Sequence, residues 1–334
     1  MRRGALVRLV AIGLGAGAVA LATALFVPWL PTPASRQAGR IDFIFWFVSV
    51  ICIGIFALVA AVILYAIVRF RARLDDDTDG VPHHGKTRLE IVWTAVPAAL
   101  VTAIAVVSAV ALAQNDSLPR NHMTVGVTAQ QFAWSFKYPH LKNLTSPDLR
   151  LIVNEPTQLR LRALDVVHSF WVPEFRQKQD AVPGITTRVV VTPTKIGTYP
   201  LICTELCGLG HAVMRTRAIV MTRAGFAAWA KAQQKALSGG GGGAGAAVFQ
   251  QNGCGGCHKF KPAGSSGVTG PDLDKLATYA RQAHQPLDKF IHQSIVDPGA
   301  YVQPGYANLM PKTFSQLPKD QLAALVKYLK AGAK

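Results

Sequence analysis

The sequence predicts a multi-domain membrane protein in which a transmembrane α-helical hairpin is followed by a β-sandwich and then by a small all-α domain. Two apolar runs before residue 115 are each long enough to cross a bilayer. Short β-branched stretches separated by Gly and Pro fill residues 120–225. A glycine-rich segment then precedes a C-terminal stretch with a CxxCH motif, so the chain divides at this point.

The composition supports a membrane location and limits the classes of function. Half of the 334 residues are hydrophobic and only 16% are charged, which is typical of a chain with membrane spans. The net charge of +17 suits anionic lipid, whereas the absence of a compact Lys/Arg run argues against nucleic acid as a partner. Four of the five cysteines form two close pairs, which indicates metal and cofactor sites and not a disulfide framework.

Residues 1–30 form the first element. Two arginines precede a run that is apolar from Leu6 to Leu30, as in a secretory signal peptide. The run is also long enough for a membrane helix and contains no clear small-x-small cleavage site. It is therefore predicted to be a signal peptide or a retained signal-anchor.

The hairpin is predicted over residues 38–114, with transmembrane helices at 41–70 and 91–113. Arg69, Arg71 and Arg73 stand at and just after the end of the first helix, and the polar loop to Glu90 also contains Lys86 and Arg88. The positive-inside rule places this loop in the cytoplasm. The chain beyond residue 114 then lies on the outer side of the membrane.

The β-sandwich is predicted over residues 118–228. Residues 124–127, 159–164 and 188–191 are rich in β-branched or alternating apolar residues, as expected for strands. The segment 132–138, Phe-Ala-Trp-Ser-Phe-Lys-Tyr, is an aromatic stripe whose simplest explanation is core packing on one strand face.

A loop in this domain carries a set of soft metal ligands. Cys203, Cys207, His211 and Met214 fall within twelve residues, and His168 on an earlier strand offers a second imidazole. Thiolate, thioether and imidazole ligands favour copper, and two cysteines in this setting suggest two thiolate bridges between two copper ions. A disulfide and a zinc half-site are the alternatives for the cysteine pair alone.

A glycine-rich linker over residues 236–246 separates the sandwich from a domain over residues 247–334. Cys254, Cys257 and His258 form the CxxCH motif for covalent attachment of one haem c, with His258 as the proximal ligand. The alternative is a chance CxxC redox pair. Met310 is the only methionine after the motif and is the predicted sixth ligand. A final helix from Pro318 has an apolar face that should pack near Phe249.

These motifs carry a resemblance to a known family. Cys-x-Glu-x-Cys-x-x-x-His-x-x-Met, at residues 203–214, matches the CuA loop in subunit II of cytochrome c oxidases. The resemblance covers about residues 25–225 and implies a cupredoxin-like sandwich. The C-terminal domain resembles a class I cytochrome c, so the whole chain resembles the caa-type arrangement of this haem–copper oxidase family.

The resemblance adds roles that spacing alone does not give. It implies that the backbone carbonyl of Glu205 is a weak ligand of the binuclear CuA centre and that its side chain helps to hold Mg at the interface with subunit I. It places Glu90, in Glu90-Ile91-Val92-Trp93-Thr94, at the entrance of a proton pathway. At the position where the family has an electron-accepting Trp, this chain has Phe132, with Trp134 two residues later; both are electron-path candidates.

The expected function is that of subunit II of a respiratory cytochrome c oxidase. Electrons would enter at haem c, pass to CuA and reach a haem in subunit I, where oxygen is reduced to water with proton translocation. The expected partners are subunit I, subunit III, membrane lipid and an upstream cytochrome c or quinol-oxidising complex. The expected location is the bacterial inner membrane, multi-pass, with both cofactor domains on the periplasmic side. A CuA-type nitric oxide reductase and a stand-alone membrane-anchored electron carrier remain alternatives.

Overall fold

The computed structural model describes residues 3–71, 85–238 and 243–333. In this part of the chain, three helices are long and apolar enough to span a membrane. They are α1 (Arg3–Phe26), α2 (Arg36–Arg69) and α3 (Thr87–Asp116). The predicted helical hairpin is confirmed as α2 and α3, while residues 72–84 of its predicted loop lie outside the described residues.

Helix α1 packs closely on α2 through small residues. A Cβ atom placed on Gly13 would lie 3.4 Å from Cβ of Ala61, and one on Gly17 would lie 3.4 Å from Cβ of Ala57. Ala61 is only 2% exposed, although most of the large apolar side chains of this helix are exposed. Small residues at such positions let membrane helices approach closely, so α1 behaves as part of the helical unit.

The outer domain is a sandwich of two five-stranded sheets. The first sheet has the order β3 (Leu144–Ser146), β2 (Ala133–Tyr138), β1 (Met123–Gln130), β5 (Thr157–Ala163) and β8 (Thr187–Val191). The second has the order β4 (Leu149–Ile152), β10 (Arg215–Met221), β9 (Gly197–Cys203), β6 (His168–Trp171) and β7 (Lys178–Ala181). The predicted strands correspond to β1, β5 and β8.

Two strand pairs of the sandwich are parallel. β1 pairs parallel with β5, and β4 pairs parallel with β10. The reason is topological, because the chain leaves each sheet and crosses the sandwich before it returns beside its earlier strand. Alternate residues of the strands point into the core, where Val125, Val127, Leu159 and Leu161 are fully buried.

Helix α4 (Arg223–Ser238) follows the last strand and belongs with the sandwich. The Trp229 ring lies 5.3 Å from the ring of Tyr138. The guanidinium of Arg150 stacks over the same Trp229 ring, 4.9 Å from its centroid. The predicted domain boundary at residue 228 falls inside this helix. Local composition could not show this, since the packing partners of Trp229 come from distant strands.

The C-terminal domain is mainly helical, as predicted. Its helices are α5 (Gly243–Gln251), α6 (Cys254–Cys257), α7 (Leu276–Gln282), α8 (Leu287–Val296) and α9 (Lys319–Gly332). The two-residue strands β11 (Lys259–Phe260) and β12 (Ser265–Ser266) form a short hairpin. The expected packing of the last helix on the first is confirmed, with the rings of Phe249 and Tyr328 6.0 Å apart.

The glycine-rich segment is partly helical. Helix α5 begins at Gly243, and a Cβ atom on Gly245 would overlap the carbonyl oxygen of Ala324 in α9. Gly245 therefore serves close helix packing, whereas the sequence pattern predicted a flexible linker over residues 236–246. Residues 239–242 lie outside the described residues.

Candidate copper centre and haem cavity

Strand pairing brings the first two predicted copper ligands together. β6 and β9 are antiparallel neighbours, with Phe170 opposite Cys203. His168 at the start of β6 and Cys203 at the end of β9 therefore lie at the same end of the sandwich. Nδ1 of His168 is 3.9 Å from Sγ of Cys203, and His168 is fully buried.

The loop after β9 folds back on its own start. The backbone N–H of Cys203 donates to the carbonyl of Met214 at 3.1 Å, where β10 begins. A short 3₁₀ helix over His211–Val213 completes the return. This closed loop carries the other predicted ligands to the place where β6 and β9 end.

Cys207 lies at the centre of the ligand set. Its Sγ atom is 3.9 Å from Sγ of Cys203, 3.6 Å from Nδ1 of His211 and 3.8 Å from Sδ of Met214. The carbonyl oxygen of Glu205 is 3.3 Å from Sγ of Cys203. The structure thus brings all six residues of the predicted copper set into one cluster.

The donors in this cluster fit a copper centre. The two cysteine sulfur atoms, 3.9 Å apart, are not bonded to each other, since a disulfide bond is only about 2.05 Å long. Cys203 and Met214 are buried, which removes the soft sulfur donors from water. Two thiols, a thioether and two imidazoles at these separations suit copper better than zinc.

Asp165 fixes the orientation of His168. Its carboxylate lies 2.8 Å from Nε2 of the imidazole, which leaves Nδ1 to face Cys203. Burial disfavours the charged imidazole, but the hydrogen bonds and charges of Asp165 and Cys203 together outweigh burial and raise the pKa of His168. For Asp165 burial acts in the opposite sense and is outweighed by the hydrogen bonds from His168 and two backbone N–H groups, which lower its pKa. A carboxylate behind a metal-binding histidine is a common way to fix the ring.

The two thiols ionise unequally in the absence of metal. Burial opposes ionisation of Cys203, but its hydrogen bonds, of which the one with His168 contributes most, together outweigh burial, so the pKa of Cys203 is lowered. Burial and the charge on Cys203 both raise the pKa of Cys207. The pair therefore accepts one negative charge readily and resists a second until the positive charge of a metal displaces the remaining proton.

The turn between β1 and β2, residues 130–133, packs against the ligand loop. The side-chain amide of Gln131 donates to the carbonyl of Cys207 at 2.6 Å. A Cβ atom on Gly208 would lie 3.2 Å from the Phe132 ring, and one on Gly210 would overlap that ring. Gly208 also has φ +129°, a conformation that other residues rarely adopt. Both glycines are therefore needed where the loop meets Phe132.

The CxxCH motif opens onto a large cavity of the C-terminal domain. The motif forms helix α6, and Nδ1 of His258 lies 2.8 Å from the carbonyl oxygen of Pro271. This bond leaves Nε2 free to bind a metal. A Cβ atom on Gly270 would lie 2.5 Å from the imidazole ring, so a glycine is required beside it.

The cavity fits a haem in size and lining. Its volume, including the open mouth, is about 1330 Å³, and it is lined by Cys254, Cys257, His258 and Met310 together with mainly apolar and aromatic side chains. Burial raises the pKa of Cys254 to about 12 and lowers the pKa of His258. Both cysteines are unpaired and the imidazole is kept neutral, as thioether attachment and iron ligation require.

The lining of this cavity includes the turn that packs on the copper loop. Gln130, Gln131, Phe132 and Ala133 line the cavity beside residues of the C-terminal domain. The amide of Gln130 donates to the carbonyl of Asn252 at 2.6 Å, immediately before the CxxCH helix. This segment therefore borders both predicted cofactor sites, and Val213 of the copper loop also lines the cavity.

The remaining predicted residues are Trp134, the side chain of Glu205 and Glu90. Trp134 is 2% exposed, and its ring lies 6.3 Å from the imidazole of His168. The Glu205 side chain is exposed, and Glu90 lies in the first turn of α3. Gln131 and Pro271 were missed by the sequence analysis, because each acts through a hydrogen bond to a distant residue and carries no spacing pattern.

Comparison with known proteins assigns each part of the chain. Three family models match successive segments: the transmembrane domain of cytochrome c oxidase subunit II over residues 22–110, the periplasmic domain of the same subunit over residues 143–222, and cytochrome c over residues 243–333. The periplasmic model covers residues 203–214, where the copper motif lies.

Individual relatives agree with these models. Cytochrome c oxidase subunit 2 of Thermostichus vulcanus is 33% identical over 61% of this chain and 78% of the relative. The subunit of the same name from Alkalihalophilus pseudofirmus is 30% identical over 85% of this chain and 84% of the relative. The crystal structure of the periplasmic domain of subunit II from Bradyrhizobium japonicum matches with 27% identity and a TM-score of 0.34, covering 36% of this chain and 98% of that domain.

The relatives and the three family models together cover the membrane helices, the copper-loop domain and the CxxCH domain. The family implies a copper centre in the periplasmic domain, haem in the cytochrome c domain and subunit I as a partner. The chain belongs to the family of cytochrome c oxidase subunit II, carries a C-terminal cytochrome c domain, and is a membrane-anchored component of a haem–copper oxidase, an oxidoreductase complex.

Proposed function

We propose that this chain delivers electrons to subunit I from its own haem c by way of a binuclear CuA centre. His168, Cys203, Cys207, His211, Met214 and the carbonyl of Glu205 would hold the two copper ions. Cys254 and Cys257 would attach the haem, with His258 and Met310 as its axial ligands. When bound, these groups supply one-electron chemistry, and oxygen is reduced to water in subunit I.

The residues of the chain would tune and protect this transfer. His168 is oriented by Asp165, so one copper ligand is fixed before metal binds. His258 is oriented by Pro271, and its apolar cavity keeps water from the iron. A rigid ligand set changes little when an electron arrives, which favours rapid transfer.

One observation carries the proposal, namely that the turn over residues 130–133 lines the haem cavity and also contacts the copper loop. A chain that only stored copper or only carried haem would have no reason to place both sites on one turn. The arrangement supports transfer within the chain, without an external cytochrome c docking at the copper domain.

Spectroscopy of the purified complex tests this function. We expect the optical spectrum of a c-type haem and the paramagnetic signal of one unpaired electron shared by two copper ions. Rapid reduction of the haem should be followed by reduction of copper and then by oxygen uptake. Haem without paired copper, or a cystine at Cys203 and Cys207, would contradict the proposal, and uptake of nitric oxide in place of oxygen would contradict its terminal step.

The remaining parts of the assignment concern the membrane and its partners. We propose that α2 and α3 cross the bacterial inner membrane, with the loop between them in the cytoplasm and both cofactor domains in the periplasm. Subunit III and lipid would contact the helices, and an upstream cytochrome c or quinol-oxidising complex would reduce the haem. The exposed carboxylate of Glu205 would contribute to a Mg site at the subunit I interface.

Helix α1 is predicted to remain in the mature protein as a third membrane helix, because its glycines match the alanines of α2. Intact-mass analysis and N-terminal sequencing should find a mature chain that begins before Gly13. A bulky Gly17→Leu change should lower the free energy of unfolding of the complex in detergent by about 1–3 kcal/mol, which a fall in its melting temperature would show. Gly15→Leu is the matched control, since a Cβ atom at Gly15 meets nothing within 4 Å. A mature chain that starts after Phe26 would refute this prediction.

Glu90 is predicted to serve at the entrance of a proton path. Replacement by glutamine removes the titratable carboxylate from the first turn of α3 and should slow turnover and proton pumping several-fold. Glu90→Asp, which keeps a carboxylate, should retain most of both activities. Unchanged oxygen consumption and pumping in Glu90→Gln would show that this side chain is only a solvated helix end.

A further inference from the structure

We propose that Gln131 is a positioning residue that couples the haem cavity to the copper centre through the hydrogen bond from its side-chain amide to the Cys207 carbonyl. The inference rests on the proposed function and names the contact that serves it. With both groups bound, the step concerned would move one electron from the reduced haem iron to the oxidised copper pair, and no bond would form or break.

The first argument is the position of Gln131. Among the described residues that line the haem cavity, it is the one that donates a hydrogen bond to a predicted copper ligand, at 2.6 Å. The neighbouring Gln130 also lines the cavity, but its amide donates to Asn252 in the cytochrome c domain. Adjacent side chains of the same type thus face different partners, one at the copper loop and one at the haem domain.

The second argument is that the main chain of Gln131 is fixed as well. Its backbone N–H donates to one carboxylate oxygen of Asp165 at 2.6 Å, and the other oxygen of Asp165 bonds to His168. Gln131 is therefore tied to Cys207 through its side chain and to His168 through Asp165. These bonds hold the cavity wall in a set position relative to two copper ligands.

Two alternative routes exist: Phe132, which meets the copper loop by ring packing against Gly208 and Gly210, and Val213, a residue of that loop that also lines the cavity. Electronic coupling falls more slowly along covalent and hydrogen bonds than across van der Waals contacts. The connected path from the cavity wall through Gln131 to the Cys207 carbonyl continues along the backbone to the thiolate. Phe132 offers no hydrogen bond to the loop, so its contribution is to exclude water and to support the turn.

Substitution of Gln131 in the full complex separates these roles. Gln131→Met keeps the length of the side chain and removes the amide, and Gln131→Asn keeps an amide that is one methylene too short to reach Cys207. Gln130→Met is the matched control, because it removes the neighbouring amide without touching the copper loop. The electron is injected into the haem by a photoreductant, and the haem and copper absorbances are followed in time. Haem and copper potentials and the copper paramagnetic spectrum are measured on each variant.

We expect transfer from haem to copper to slow about tenfold in both Gln131 variants, equivalent to roughly 1.4 kcal/mol on the effective barrier, with potentials and copper spectrum unchanged. Wild-type rates in both variants would overturn the inference. So would an equal slowing in Gln130→Met, which would indicate domain docking, or an altered copper spectrum in Gln131→Met, which would indicate an effect on the metal site. If no electron passed from haem to copper in the wild-type complex, the proposed function itself would be wrong. If electrons passed at the same rate in the wild type and in the Gln131 variants, only the role of Gln131 would be wrong.

Discussion

Replacing Cys207 with serine is expected to abolish the paired-copper signal and to lower oxidase turnover by at least about a hundredfold, since loss of an outer-shell contact alone costs about 10–100-fold. Sγ of Cys207 lies within 3.9 Å of the donor atoms of Cys203, His211 and Met214. A serine oxygen is a hard, weakly acidic donor and cannot replace a bridging thiolate. The centre should then hold at most one copper ion, with the unpaired electron localised.

The measurements are copper content, the paramagnetic spectrum and the redox state of the haem during turnover. In Cys207→Ser the haem should still be reduced by the donor and should stay reduced, because its exit for electrons is blocked. Cys52→Ser is the matched control, since Cys52 lies in α2 and outside the ligand cluster. Two copper ions with a shared electron in Cys207→Ser would show that this thiol does not bridge the metal pair.

The candidate copper and haem ligands could be picked out in the sequence because the chemistry of such sites imposes spacing on their donors. A loop that closes on one site must carry its donors a few residues apart, as Cys203, Cys207, His211 and Met214 do. The spacing of a CxxCH motif is similarly constrained, because both of its cysteines must reach the same porphyrin ring. His168 is distant in sequence, and although its strand-like surroundings could be read from the chain, only the pairing of β6 with β9 places it at the same end of the sandwich as Cys203.

Other features could not be read from the chain, because tertiary contacts decide them. Gly245 looks like part of a flexible linker, yet it is packed in α5 against the backbone of α9. Trp229 appears to lie at a domain boundary, but the stacked Arg150 fixes it to the sandwich. Gln131 has an unremarkable position in the sequence, and only the folded turn brings its amide to Cys207.

Replacing Met310 with leucine should lower the haem potential by about 0.1 V, since axial ligands set haem potentials over a range of roughly 0.8 V and methionine raises them. Met310 lines the cavity that His258 enters from the CxxCH helix. Leucine fills similar space without a sulfur donor, so the cytochrome c domain should stay folded while the iron would lose its sixth ligand, the second one supplied by the protein. The variant haem should give the optical spectrum of a high-spin or water-ligated iron.

The kinetic consequence follows from the direction of the shift. Because 59 mV is tenfold in a one-electron equilibrium, a fall of about 0.1 V makes reduction of the haem by its donor some fiftyfold less favourable and its oxidation by copper correspondingly more favourable. Electron entry should therefore become limiting, while transfer to copper after photoreduction should not slow. Met221→Leu, a conservative change in strand β10, should alter neither the spectrum nor the potential. An unchanged potential and an intact sulfur-to-iron absorption band in Met310→Leu would mean that the sixth ligand comes from another residue, and electron entry would then have to be reassigned to a differently tuned haem.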